Sequence, residues 1–197
     1  MSSAGRSSPK GMRKIIYSML ISLDGYVESP NGDIGWSAPD DEVHAFINDM
    51  SRELGGSLYG RRLYENMSAY WPTADQRLDA PAIEVDFART WRATPKYVFS
   101  KTLDQVGWNS TLITGDLKEE VTRLKRQDGG DLDLGGATLA WSVLRLGLVD
   151  EFRIFIHPLV LGAGKPFFPQ LDASIRTRLL ETRAFPSGIV YLRYEVT

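Results

Sequence analysis

The chain has 197 residues, no cysteine, and 23 Lys plus Arg against 25 Asp plus Glu, for a net charge of −2. That length suits one domain with a substantial core, and the balanced charge offers neither the basic field that nucleic acid attracts nor an acidic tail. Lack of cysteine removes disulfides, thiolate catalysis and Cys-ligated zinc together and fits a reducing, cytoplasmic setting. No run approaches the roughly 18 apolar residues of a membrane span, so small molecules are the expected partners.

Residues 1–12 are rich in Ser and Gly without an apolar stretch and read as a disordered leader before a domain spanning 13–197. From Lys14 the sequence turns to Ile15-Ile16-Tyr17-Ser18-Met19-Leu20-Ile21, a strand apolar on both faces and therefore central. It breaks at Ser22-Leu23-Asp24-Gly25, and a long polar loop follows to Pro39. Asp40 or Asp41 then caps a helix that carries Val43, Phe46, Ile47 and Met50 on one face and ends near Gly55-Gly56. Ser57-Leu58-Tyr59-Gly60 is a short strand running into a helix that opens with Arg61-Arg62. Two arginines are electrostatically misplaced at a helix N-terminus, and an external anion would repair that.

Residues 71–81 read as a loop and 83–91 as a surface helix; 96–100 and 111–114 are strands, and 116–127 a helix with Leu117, Val121 and Leu124 facing inward. Next comes a short strand, Asp131-Leu132-Asp133-Leu134, which meets Gly135-Gly136-Ala137-Thr138 and a helix through Leu139-Ala140-Trp141. Side-chain-free residues there let a ligand approach the backbone, and the helix aims free N–H groups at the same spot, a place for phosphate. The pair equally suits a tight strand-to-helix turn. Residues 151–157 form another strand, and 176–184 and 189–196 an antiparallel edge hairpin. Strands alternating with helices predict an α/β fold, with a mainly parallel sheet covered on both faces.

Several chemistries fail on spacing. Gly162-Ala163-Gly164-Lys165 lacks the upstream glycine of a nucleoside-triphosphate loop, and Pro166 replaces its hydroxyl residue. His44 and His157 have no metal-ligand spacing, so no metal is expected, and neither a serine-hydrolase elbow nor a dinucleotide fingerprint follows the first strand. What converges at the strands' carboxyl ends is a glycine pair, two arginines and Ser100-Lys101, a set suited to a dinucleotide with an extra phosphate.

The motif 134–137 (Leu-Gly-Gly-Ala), followed by Leu148-Val149-Asp150-Glu151 and by 158–168, with 22–26 (Ser-Leu-Asp-Gly-Tyr) near the start, resembles the dihydrofolate-reductase-like superfamily. Within it, the resemblance is closest to the reductase domain at the C-terminus of the riboflavin-biosynthesis deaminase/reductase, and it covers about residues 13–196. It implies a three-layer fold, a stand-alone reductase domain and a homodimer that uses NADPH. Gly135, Gly136, Ala137 and Thr138 would hold the pyrophosphate, Gly60, Arg61 and Arg62 the adenosine phosphates, Ser100 the adenine ribose, and Leu20 the nicotinamide. Trp36, Pro39 and Asp41 repeat the spacing of the pterin-binding segment of dihydrofolate reductases, which makes Asp41 the expected proton donor and Asp24 the fallback. The implied activity is hydride transfer to a small heterocyclic or ribosylaminopyrimidine-type substrate. Dihydrofolate reduction, or nucleotide sensing without catalysis, are the alternatives.

Overall fold

Seven residues, Ile15–Ile21, form strand β1, and the apolar side chains on both its faces place it mid-sheet between two parallel neighbours. The computed structural model describes residues 11–197, so residues 1–10 of the expected leader lie outside the described residues. The other strands are β2 (Tyr26–Glu28), β3 (Gly56–Gly60), β4 (Lys96–Phe99), β5 (Ser110–Ile113), β6 (Leu132–Gly135), β7 (Glu151–Ile156), β8 (Lys165–Pro166), β9 (Thr177–Ala184) and β10 (Val190–Val196). The helices are α1 (Asp41–Arg52), α2 (Arg61–Tyr70), α3 (Ala82–Ala93), α4 (Leu117–Lys125) and α5 (Ala137–Arg145).

Eight strands make one sheet in the order β5-β4-β3-β6-β1-β7-β10-β9. The pairings from β5 through β7 are parallel, whereas β10 pairs antiparallel with both β7 and β9. This is the predicted α/β architecture with its C-terminal antiparallel hairpin. Helices α4 and α5 cover one face, where Val121, Leu124, Ala140 and Val143 pack with Ile15, Tyr17, Leu58 and Leu134. On the opposite face, α1 lies over Phe155 and Tyr191, and α2 and α3 lie over Tyr59 and Val98.

Four local departures have physical causes. β2 and β8 pair as a separate two-stranded sheet, too short for either to show a period in sequence. Residues Trp71–Gln76, expected as loop, form a 3-10 turn with Pro72 in its first positions, where a missing N–H costs nothing. α3 is not a surface helix: it buries Ala88 and Trp91 and packs against α1. Gly56 belongs to β3 rather than to the end of α1. Among the described residues, no helix is long and apolar enough to cross a membrane.

Candidate active site

Parallel pairing brings the carboxyl ends of β3, β6 and β1 to one edge, where a cleft of about 400 Å³ opens. Gly60, Arg61, Arg62, Gly136, Ala137 and Thr138, expected together from the sequence, all line it. Gly136 starts α5 at φ 85 and ψ 118, and no side chain caps that helix end, so its first amides face the cleft unclaimed. The tight turn expected of the glycine pair is therefore present, with Gly136 in the positive-φ conformation. Gly135 has a different reason: a Cβ there would stand 2.5 Å from Leu63 Cδ2, so its absence lets α2 close onto β6.

The expected anion for the arginines is supplied internally. Arg61 donates from Nε to Glu65 Oε1 at 2.7 Å and from a terminal nitrogen to Thr102 Oγ1 at 2.9 Å, and Arg62 donates to Glu28 Oε1 at 3.2 Å. With side chains 49% and 63% exposed, these pairs are weak and free to exchange for a phosphate. Lys165, which sequence reasoning passed over after rejecting its loop, also lines the cleft, donates to Thr138 Oγ1 at 2.6 Å and lies 3.9 Å from Glu28. Only the pairing of β2 with β8 brings it there. Ser100 stands one link away: its Oγ accepts from the amides of Thr102 and Leu103 at 3.2 and 3.1 Å, and Thr102 bonds Arg61.

Behind the cleft is an inner chamber of about 250 Å³ between the sheet and helices α1 and α3; Met19 and Leu63 border both spaces. Leu20, expected at the nicotinamide, lines this chamber rather than the outer cleft. A polar row crosses its floor. Lys96 and Asp133 are the register partners of Ser57 on either side, and Arg153 pairs in register with Ser18. Burial pushes the Asp133 carboxyl up to about 7, against the pull of Arg153. Burial also lowers Lys96 to about 8, and its ammonium donates to the carbonyls of Trp91 at 2.6 Å and Thr94 at 2.8 Å. Arg153 donates from Nε to Glu151 Oε1 at 2.8 Å. Burial alone would raise Glu151, but hydrogen bonds from Arg193 and Arg153 outweigh it and hold the group low.

The two expected proton donors stand outside both spaces. Asp40, not Asp41, caps α1, accepting from the amides of Glu42 and Val43 at 2.9 and 3.0 Å, and Asp41 is exposed in the first turn. Asp24 accepts from Ser22 Oγ at 2.6 Å, Gly162 N at 2.7 Å and Leu161 N at 3.1 Å, which ties the end of β1 to the loop before β8. The Ser22 bond, with help from those amides, holds its carboxyl below the ordinary value.

A mainly parallel sheet in this strand order, ending in an antiparallel hairpin and covered on both faces, is a dihydrofolate-reductase-like fold. Dihydrofolate reductase from Enterococcus faecalis, complexed with NADP(H) and RAB-propyl, superposes with a TM-score of 0.61 at 12% identity, over 95% of this chain and 98% of that one. The chain belongs to the RibD C-terminal domain family, whose pattern it matches over residues 13–191. It is 36% identical to protein YyaP of Bacillus subtilis (strain 168) over 183 residues, covering 92% of this chain and 94% of YyaP. A putative riboflavin biosynthesis protein from Shewanella sp. PV-4 has the same fold, with a TM-score of 0.74 at 22% identity over 93% of this chain and 99% of its own.

Proposed function

We propose that the protein is an NADPH-dependent reductase that delivers hydride to a C=O or C=N bond of a small heterocycle, of the kind reduced in riboflavin biosynthesis. The observation that carries this reading is one cleft holding an uncapped helix N-terminus and three cations, Arg61, Arg62 and Lys165, joined at Met19 and Leu63 to a second, mostly apolar chamber. The donor set fits a phosphorylated dinucleotide. The amides at the start of α5 and the Thr138 hydroxyl suit a pyrophosphate, Arg61, Arg62 and Lys165 suit a further phosphate, and Ser100 lies within one hydrogen-bonded neighbour of Arg61. When bound, the cofactor supplies the hydride. The chain's own work is then to clamp the phosphates at the mouth, to set the end of β1 between cofactor and substrate, and to exclude water from the chamber behind it.

The reading includes a homodimer. Every residue of β9 is exposed, Leu179 and Leu180 among them, on a sheet edge with unpaired backbone groups that a second copy can cover. Light scattering on the purified protein measures that mass directly.

Consumption of NADPH, followed by its absorbance with dihydropterins, ribosylaminopyrimidines and quinones as acceptors, tests the activity. Turnover with at least one acceptor, and tighter binding of NADPH than of NADH, are the expected results. Tight NADPH binding with no turnover across the panel would make the protein a nucleotide-binding sensor instead.

A further inference from the structure

We propose that the inner chamber is a binding site for a flat, unphosphorylated ring compound that presents an N–H edge to the Asp133 carboxyl. The reading of this space as the hydride-acceptor side rests on the proposed reductase activity; the binding site itself does not.

The argument starts from strand position. β6 lies between β3 and β1, and central parallel strands covered on both faces are ordinarily apolar throughout. Leu132 and Leu134 obey that rule on the α4/α5 face, where both are fully buried. Asp133 breaks it on the other face and lines the chamber. Among the described residues its carboxylate has no hydrogen bond and no ion pair; it is coupled at longer range to Arg153, which attracts it, and to the Tyr59 hydroxyl, whose ionisation it opposes.

The two cations of the chamber floor hydrogen-bond other partners. Arg153 donates to Glu151, and the Lys96 ammonium is held by two carbonyls at the end of α3. A carboxyl left facing a cavity in the middle of a sheet costs stability, so its retention points to a ligand that it serves. An N–H edge, neutral or cationic, satisfies it.

The chamber walls define the rest of the ligand. Ile47, Met50, Met67, Phe87 and Trp91 enclose the space above the polar row, and thioether and aromatic surfaces of this kind suit a planar ring. A phosphate does not belong there: it would face Asp133, while the cations with exchangeable partners stand in the outer cleft. The two spaces therefore divide the ligands by charge, phosphates outside and a compact ring inside.

2-Aminopyridine is a suitable probe, being flat and unphosphorylated with adjacent ring and amino nitrogens. Binding to the wild type, Asp133→Asn and Asp133→Leu is measured by ligand-detected NMR and calorimetry, with NADPH affinity measured on the same samples as a control for the fold. Millimolar or tighter binding to the wild type, weakened at least tenfold in both variants with NADPH affinity unchanged, is the expected result. Benzoate, which carries an anion in place of the donor edge, should bind the wild type more weakly than 2-aminopyridine. Equal 2-aminopyridine affinity in wild type and Asp133→Asn, or no binding to a wild type that takes up NADPH, overturns the proposal. If 2-aminopyridine binds through Asp133 while NADPH is neither bound nor oxidised, the reductase reading fails and the chamber stands.

Discussion

The outer cleft and the inner chamber meet at Met19 and Leu63 but are built on opposite principles. The cleft is made from backbone: a helix start, a glycine turn and exposed cations whose partners are exchangeable. The chamber is made from strand alternation, with a polar row fixed in register beneath two helices. Stripping charge from the cleft should therefore alter ligand preference and leave folding alone, whereas stripping charge from the chamber floor should alter folding itself.

The largest effect tests where the cleft depends on backbone rather than charge. Gly136→Val puts a β-branched residue at φ 85, with its Cβ 3.3 Å from Leu63. We expect a loss of about 3 kcal/mol, read as a lower denaturation midpoint, together with weaker NADPH binding. An unchanged midpoint would mean that the turn relaxes and that Gly136 serves the ligand alone.

Asp133→Asn should move stability the other way. The folded carboxyl titrates near 7 against an ordinary 3.8, so the folded chain holds this proton more tightly than the unfolded one. That contribution is fully present below about pH 4 and is lost as pH rises through 7. Removing the charge should thus raise stability at pH 8 by on the order of 2–3 kcal/mol and leave it nearly unchanged at pH 4. Urea denaturation at both values checks this, and equal effects at the two would remove the unpaired carboxylate from the explanation.

Smaller still is the double change Arg61→Ala with Arg62→Ala, which breaks only exposed pairs. Stability should stay within about 1 kcal/mol, while the preference for NADPH over NADH falls roughly tenfold, about 1.4 kcal/mol. If the preference persists, Lys165 is the remaining cation of the cleft to bear it. The smallest change in folding belongs to Asp41→Asn, whose side chain is exposed and caps nothing. Thermal midpoint and NADPH affinity should both be retained, and a turnover loss of roughly 10²-fold would place the proton donor at the rim rather than in the chamber.

The central strands, the glycine turn and the residues that share the cleft were legible because their signals are local: an apolar run in β1, a Gly-Gly before a helix, arginines at a helix start. β2 and β8 were not, since a pair of two- and three-residue strands is specified by tertiary contact alone. Lys165 was lost with them. The internal partners of Arg61 and Arg62 were equally hidden, because Glu28 reaches Arg62 from 34 residues away and Thr102 reaches Arg61 from 41. Asp133 stood in plain view in Asp-Leu-Asp-Leu, but a covered sheet predicted from element order does not reveal that this side chain would meet a chamber instead of packed apolar neighbours. Only the packing of α1 and α3 turns it from an ordinary strand residue into a carboxyl that faces an inner chamber.

Phe167 stacks on Tyr17 with ring centroids 4.1 Å apart, and its carbonyl accepts from the Tyr17 hydroxyl at 3.1 Å and from Trp141 Nε1 at 3.0 Å. Mechanically, the residue is a peg driven from a surface loop into the core, holding β1 and α5 at once. Lys165 sits two residues up the same stretch of chain, so the rim of the cleft inherits the stiffness of the interior. A loosened peg would let that rim breathe, and it would register as faster escape of a bound nucleotide with its rate of entry little changed.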